Sequence, residues 1–284
     1  MITNFLFLIC AHMIGDFYFQ PKGLLRFKNG EVESDVNWKA QMILGVIVHS
    51  LIYTLVFIYP LSFWVDRNES VFVILLLIIF FSHIVVDLLK TILTRKRVAL
   101  SSGKGKLVSF IVDQVIHIAV IFIVIYSAGI AHTDIRVSFD NFLVYSSIPI
   151  DYNQFVAGLF AVLFVLKPSS IIIDLVLQSL GEKRRAKTQD DELDDSNDSK
   201  ELIIIFQLDE KEQKLGNIIG QIERIIILCL GIFGFYQGIA LVLTAKSIAR
   251  FKQFEDREFA ERYLLGTLLS LLFSILAIMV IIYL

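Results

Sequence analysis

Long apolar segments alternate with short polar segments along most of the chain. The apolar segments are continuous and rich in Leu and Ile, and most approach the roughly 20 residues that a helix needs to cross a bilayer core. Since apolar and polar positions do not alternate within them, they predict helices and not barrel strands. We therefore predict an all-α integral membrane protein with about seven spans, near residues 3–20, 42–60, 70–92, 107–130, 153–180, 216–244 and 263–284.

Composition and charge agree with this pattern. Hydrophobic residues make up 56% of the 284 residues, charged residues make up 19%, and the mean hydropathy is +0.71. These values are not those of a soluble enzyme. The formal net charge of −2 gives no argument for nucleic-acid binding. The expected partners of a multi-pass membrane protein are membrane lipids. Cys10 and Cys229 lie in apolar runs and are expected to be buried, with no disulfide or metal role.

The basic residues of the loops predict the orientation of the spans, because cytoplasmic loops are enriched in Lys and Arg. The expected cytoplasmic loops are residues 21–41, 90–106 and 181–215, and the expected outer loops are residues 61–69 and 131–152, the latter with His132. Residues 245–262 disagree, since strict alternation puts their basic side chains outside. Either span five or span six is a re-entrant hairpin, or this segment lies flat on the membrane surface.

The pattern divides the chain into four regions. We predict a four-helix membrane domain with a polar core at 1–130, a fifth span in 131–187, an acidic cytoplasmic linker at 188–214 and a two-span region at 215–284. The dipeptide Lys167-Pro168 predicts a kink or a break in the fifth span. The linker is acidic and lacks aromatic residues, as disordered connectors do.

Four of the five histidines fall inside predicted spans, and three of these have an aspartate four residues away. The pairs are His12 with Asp16, His83 with Asp87 and Asp113 with His117, and the fourth histidine is His49. Residues four apart share one helix face, so each pair directs an imidazole and a carboxylate the same way. In the predicted topology the aspartates form one layer nearer the cytoplasm, and the histidines lie about one turn deeper. Ionisable residues inside spans are costly and therefore indicate a functional site.

This set of side chains predicts a divalent metal site, with zinc favoured and manganese or iron as alternatives. The candidate ligands are His12, Asp16, His49, His83, Asp87, Asp113 and His117. Asp16, Asp87 and Asp113 are also the catalytic candidates, since one of them would be a ligand and another a general base. Unpaired carboxylates in an apolar interior would need a cation nearby. For any single residue, hydrogen bonding between helices is the alternative explanation.

Three further polar residues are expected to orient the ligands, namely Gln20, Lys90 and Gln114. For Lys90, the alternative is a basic side chain that extends from the end of its span to the surface. In the second half of the chain, Lys246 and Arg250 share a helix face and are candidates to contact a lipid phosphate. Ordinary anchoring of a basic segment at the interface explains these two residues more simply.

The strings AHMIGDFYFQP, HIVVDLLK and DQVIH, together with His49, resemble a bacterial family of multi-pass membrane proteins, domain of unknown function 3307. The resemblance covers roughly residues 3–125. It implies a protein of the bacterial cytoplasmic membrane and supports the site, but it implies no particular reaction. The family pattern maps onto His12, Asp16, Gln20, His49, His83, Asp87, Lys90, Asp113, Gln114 and His117.

Three functions remain open from the sequence. The first is an intramembrane metal-dependent hydrolase or transferase that acts on a lipid or a membrane-proximal substrate. The second is a metal-ion or proton-coupled transporter, which a broken fifth span would favour. The third is a non-catalytic scaffold with a structural metal. Since neither H-E-x-x-H nor G-x-S-x-G occurs, the sequence does not favour a zinc peptidase or a serine hydrolase.

Overall fold

A computed structural model describes most of the chain. The described residues are 2–29, 37–62, 69–96, 102–129, 151–188 and 199–284. Within these ranges every regular element is a helix. The predicted outer loop at 131–152 lies almost entirely outside the described residues, as does His132.

The first part of the chain forms six helices. They are α1 (Ile2–Met13), α2 (Lys22–Asn29), α3 (Trp38–Ser62), α4 (Glu69–Lys96), α5 (Gly103–Ser127) and α6 (Tyr152–Leu166). A π-helical turn, Ile14–Tyr18, continues α1. The chain then bends by 85° into α2, which is too short to cross a membrane alone.

The remainder of the chain forms four helices. They are α7 (Pro168–Thr188), α8 (Ser199–Ile232), α9 (Tyr236–Ala249) and α10 (Arg257–Tyr283). Helices reach Thr188 and resume at Ser199, so the segment between described helices is shorter than the acidic linker predicted at 188–214. The apolar run at 202–206, which the sequence places in the linker, lies within α8, and this helix continues into the next span.

Six helical segments of the described chain are long and apolar enough to cross a membrane, and the bent pair at the N-terminus makes a seventh if it counts as one span. This confirms the prediction of an all-α, multi-pass membrane protein. The segment Tyr152–Leu180 counts as one span, although Lys167 interrupts its helix. Apolar side chains such as Phe81, Val85 and Leu89 cover the exposed side of α4, as expected of a helix that faces lipid.

Buried positions recur every four residues in the four helices of the predicted polar core. In α3, α4 and α5 they form a stripe on one side of the helix, whereas residues 7–13 of α1 are all buried. The recurring positions are Asn4, Leu8, His12 and Asp16 in α1 and its π-helical turn; Gly45, His49, Tyr53, Phe57 and Leu61 in α3; Leu75, Ile79, His83, Asp87 and Thr91 in α4; and Asp113, His117, Ile121 and Ile125 in α5. In α3, α4 and α5 the polar part of the stripe occupies one end and the apolar part the other. The helices therefore bring polar groups together at one end of the bundle.

Contacts divide the chain into two compact units, residues 1–101 and 108–163, and residues 102–107 and 164–283. The boundary between residues 163 and 164 lies inside the predicted fifth span. The reason is that α7 packs against α8 and α10. The C-terminal part of that span therefore shares its core with the later helices.

The predicted sixth span, 216–244, is not one helix. Gly234 adopts a φ of 68° between α8 and α9, a backbone conformation that favours glycine. The Lys246 ammonium lies 2.5 Å from a Glu223 carboxylate oxygen, so α9 returns along α8. The two helices form a hairpin whose ends lie on the same side. A hairpin in span six is one of the two explanations for the basic segment 245–262, and the side of the membrane on which that segment lies stays a prediction.

Arg224 ties this hairpin to the neighbouring helices of the second unit. Its guanidinium donates to the backbone carbonyl of Val165 at 2.6 Å and to the Ser270 hydroxyl at 3.1 Å, and it also donates to the Ser170 hydroxyl. Since Arg224 is only 2% exposed, these bonds replace the water that it would otherwise bind. They hold the chain on both sides of the Lys167 interruption.

The hairpin predicts that residues 245–262 face the cytoplasm. In a variant without native cysteines, Gln253→Cys should resist an impermeant thiol reagent in intact cells and react after the cells are opened. Gln253 is an exposed side chain beyond the end of α9, so burial in the protein would not explain protection. Glu69→Cys, at the opposite end of α4 from the cytoplasmic loop, should react in intact cells. Labelling of Gln253→Cys from outside would contradict the hairpin topology.

Candidate metal centre

The histidines of α1, α3, α4 and α5 meet in the first unit. The ring centroids of His83 and His117 lie 4.4 Å apart, those of His49 and His83 lie 5.0 Å apart, and those of His12 and His117 lie 5.6 Å apart. None of the four residues is more than 3% exposed. The structure therefore brings together the four histidines that the sequence placed inside spans.

The three aspartates lie against these histidines. The shortest separations are 3.2 Å from Asp16 Oδ1 to His49 Nε2, 3.4 Å from Asp87 Oδ2 to His83 Nε2, and 3.6 Å from Asp113 Oδ1 to His117 Nε2. The pairs in α4 and α5 are the predicted pairs, four residues apart. In α1, however, Asp16 pairs with His49 of another helix. The π-helical turn begins between His12 and Asp16 and changes the direction of Asp16 relative to His12.

His12 differs from the other histidines because both of its ring nitrogens have hydrogen-bond partners. Nδ1 lies 2.9 Å from the Tyr53 hydroxyl, and Nε2 lies 3.0 Å from Gln114 Oε1. The amide nitrogen of Gln114 donates to Asp16 at 2.9 Å and to Asp113 at 3.2 Å. Gln114 thus orients two carboxylates, the kind of role predicted for it. Ligation by His12 stays a prediction, and its contacts favour a positioning role.

Tyr53 is a central residue of the cluster that sequence reasoning missed. Its ring stacks on His83, with centroids 3.8 Å apart and planes 14° apart. Gly15 makes room for it, since a Cβ there would lie 2.7 Å from Tyr53 Cδ2. The signal was present in the sequence, because Tyr53 follows His49 by four residues and so shares its helix face.

Two lysines pair with the aspartates. Lys28 Nζ lies 2.5 Å from Asp87 Oδ2, and Lys90 Nζ lies 2.7 Å from Asp113 Oδ2. The contact of Lys90 fits the predicted orienting role. Lys28 lies in the 21–41 segment that the sequence predicts to be a cytoplasmic loop, yet its side chain is only 6% exposed. The expectation of unpaired carboxylates therefore needs correction, because α2 and α4 supply cations to two of them.

Gly45 allows Lys28 to reach the site. A Cβ at Gly45 would lie 2.7 Å from the backbone nitrogen of Lys28 and 2.9 Å from the carbonyl carbon of Phe27. The end of α2 thus packs directly on the backbone of α3. The sharp bend before α2 and the glycine in α3 together place an ammonium group from outside the spans against Asp87.

The donor atoms fit a divalent metal ion. Asp16, His49 and His83 form one group of donors within 4.8 Å of one another, and His83, Asp87 and His117 form a second. The two groups share His83. Such nitrogen and carboxylate donors suit zinc, manganese or iron.

Several of these donors lack other partners. Both ring nitrogens of His83, His117 Nε2 and Asp113 Oδ1 are buried without a hydrogen-bond partner among the residues described. Buried polar atoms are rarely left so, and a bound cation would satisfy one ring nitrogen of each histidine and the carboxylate oxygen. Gln20 has a buried amide nitrogen in the same condition, and its predicted role near the ligands stays a prediction.

The predicted lipid-phosphate residues, Lys246 and Arg250, lie in the second unit and contact protein groups. Besides its ion pair, Lys246 lies over the ring of Tyr263 at 5.3 Å. Arg250 lies over the ring of Phe259 at 5.7 Å and donates to Gln253 at 3.3 Å. Contact with a lipid phosphate and anchoring at the membrane interface both stay predictions.

A family model described as "Protein of unknown function (DUF3307)" matches residues 4–145. The chain belongs to this family. The resemblance drawn from the sequence motifs is thereby confirmed, and the matched range contains every candidate metal ligand, from His12 to His117. No curated protein and no solved structure matches the chain.

The shared position of His83 predicts that its removal affects metal binding most. In purified protein analysed by elemental mass spectrometry, His83→Ala should abolish bound zinc, because both donor groups lose a ligand. His49→Ala and His117→Ala each disturb one group and should lower the zinc content less. His12→Gln should retain zinc, since amide groups can preserve its hydrogen bonds, and His132→Ala serves as the unaffected control. Full zinc content in His83→Ala would refute the assignment.

The packing of Gly45 predicts the effect of enlarging it. Gly45→Val should displace α2 and free Lys28 from Asp87, because the new side chain would overlap the backbone of α2. Amine-reactive labelling followed by mass spectrometry should then detect modified Lys28, which is protected in the parent protein. Gly158→Val is the matched control, since no atom lies within 4 Å of a Cβ there. Equal protection of Lys28 in both variants would contradict this packing.

Proposed function

We propose that this protein is an intramembrane metal-dependent hydrolase or transferase, with zinc as the favoured ion. Its substrate would be a lipid or a membrane-proximal compound of the bacterial cytoplasmic membrane. The observation that carries the proposal is the pair of donor groups that share His83. Hydrogen bonds within the protein hold His12 and His49, but the ring nitrogens of His83 have no such partner among the described residues.

The side chains divide naturally into ligands and supporting groups. His49, His83 and His117 supply nitrogen donors, and Asp16 and Asp87 supply carboxylate oxygens. A zinc ion bound there would lower the pKa of a water ligand and polarise a substrate oxygen. Asp113 lies outside both donor groups, and Lys90 holds one of its oxygens while the other remains without a hydrogen bond. Asp113 is therefore the best-placed general base.

The depth of the centre supports a substrate near the membrane surface. Asp87 lies seven residues before Thr94, where the candidate span in α4 ends. At about 1.5 Å per residue, this corresponds to roughly 10 Å along the helix. Ester and phosphate groups of lipids lie close to this level, whereas the middle of the bilayer lies deeper.

A transporter of metal ions or protons is the second candidate. It is favoured by the 85° bend between the Ile2–Tyr18 and Lys22–Lys28 segments, since broken helices beside a buried polar site are typical of transporters. The Lys167 interruption gives this candidate less support than the sequence suggested, because the segment remains one candidate span and Arg224 binds beside the interruption.

Vesicles of total bacterial lipid separate these functions. With zinc-loaded protein, mass spectrometry should detect new lipid products, and Asp113→Asn should slow their formation by about 10²–10⁴-fold, the usual contribution of a general base. Asp151→Asn, an exposed control, should behave as the parent. Zinc uptake into the vesicles without turnover would favour the transporter. Bound zinc with neither turnover nor uptake would leave only a structural metal.

A further inference from the structure

The charges around the centre change sign when a metal binds. Three carboxylates and the ammonium groups of Lys28 and Lys90 give the cluster a net charge of −1 when its histidines are neutral. One divalent ion changes this value to +1, and a second would raise it further. In surroundings of low dielectric constant, an excess charge is costly unless an opposite charge lies nearby. The metal-loaded centre therefore favours an anionic ligand.

The two lysines retain hydrogen-bonding capacity for such an anion. Each ammonium has three N–H donors. Within the described chain, the ammonium of Lys28 contacts Asp87 alone, and that of Lys90 contacts Asp113 alone. Donors therefore remain available on both groups while each lysine keeps its carboxylate partner.

The carboxylates that hold the two ammonium groups meet at His117. His117 Nε2 lies 4.0 Å from Asp87 Oδ1 and 3.6 Å from Asp113 Oδ1, so the two carboxylates converge on one nitrogen. The other oxygens of these carboxylates hold the lysines. A phosphate group can offer a separate oxygen to each ammonium group and to a metal ion, whereas a carboxylate has only two oxygens to share among them.

Lys90 provides a route to the site. Its side chain is 32% exposed, whereas Asp113 and His117 are each 3% exposed. It lies four residues before the end of the candidate span at Thr94, which corresponds to about 6 Å along the helix. Lys90 is thus at the rim, near the level of lipid phosphates, while Lys28 lies inside.

We infer that the metal-loaded centre binds a phosphate group through Lys90 and Lys28, and that the substrate is a phosphate ester. This inference rests on the proposed function and names its substrate class. In hydrolysis, the oxygen of water forms a bond to phosphorus while the ester P–O bond breaks. Asp113 accepts a proton from the water and returns it to the leaving alcohol oxygen. The phosphate belongs either to a lipid head group or to a soluble ester.

Binding of inorganic phosphate to zinc-loaded protein in detergent tests the inference by calorimetry. Lys90→Met should weaken binding about tenfold or more, because a hydrogen bond to a charged group is lost. Lys90→Arg should restore most of the affinity, and Lys22→Met, at an exposed lysine, should leave it unchanged. Zinc content measured in the same samples shows that the centre remains intact. Lys28→Met should also weaken phosphate binding. If the Lys28 variant loses zinc, its phosphate binding is not informative, and Lys90→Met alone decides the inference.

The source of the phosphate is distinguished by comparing phosphatidic acid in vesicles with soluble glycerol phosphate. Tighter binding of phosphatidic acid identifies a lipid head group, and tighter binding of glycerol phosphate identifies a soluble ester. If the parent protein holds zinc but binds no phosphate, or if Lys90→Met binds as tightly as Lys22→Met, the inference is wrong and the metal centre stands. If the parent binds no zinc, the proposed function fails and this inference fails with it.

Discussion

Carboxylates inside an apolar bundle need partners, and the arrangement of the first unit follows from that requirement. Asp16 has His49 and Gln114, Asp87 has Lys28, and Asp113 has Lys90. Each partner belongs to a different helix from its carboxylate. The pairs therefore fix which helices are neighbours and the relative height of each helix in the bundle. Apolar packing of Leu and Ile does not specify either, because these side chains contact lipid as favourably as they contact one another.

The second unit meets the same requirement in a different way. Arg224 directs its nitrogens to acceptors on Val165, Ser170 and Ser270, and its neighbour Glu223 pairs with a lysine across the hairpin. Those bonds tie helices together. In the first unit, by contrast, His83 keeps two buried nitrogens without hydrogen bonds among the residues described. This difference distinguishes a structural clamp from a group of side chains suited to bind a ligand.

The sequence predicted the helical class and the residues of the centre, because a spacing of four in an apolar run can be recognised without the fold. It did not predict the role of Lys28, since that residue lies outside the spans and reaches Asp87 only through an 85° bend and the space at Gly45. It also missed the turn at Gly234. Glycine in a span serves close packing as well as a change of direction, and only the backbone angle distinguishes the two.

The bond between Lys28 and Asp87 has a consequence for how the protein is assembled. Lys28 belongs to a short helix that precedes α3 and α4 in the chain, so it is synthesised before its partner has entered the membrane. The spans must insert and associate first, and α2 docks on them afterwards. Completion of the centre is therefore an event at the membrane surface. Its efficiency is expected to depend on ionic strength and on the charge of nearby lipids, conditions that scarcely affect the insertion of the apolar spans themselves.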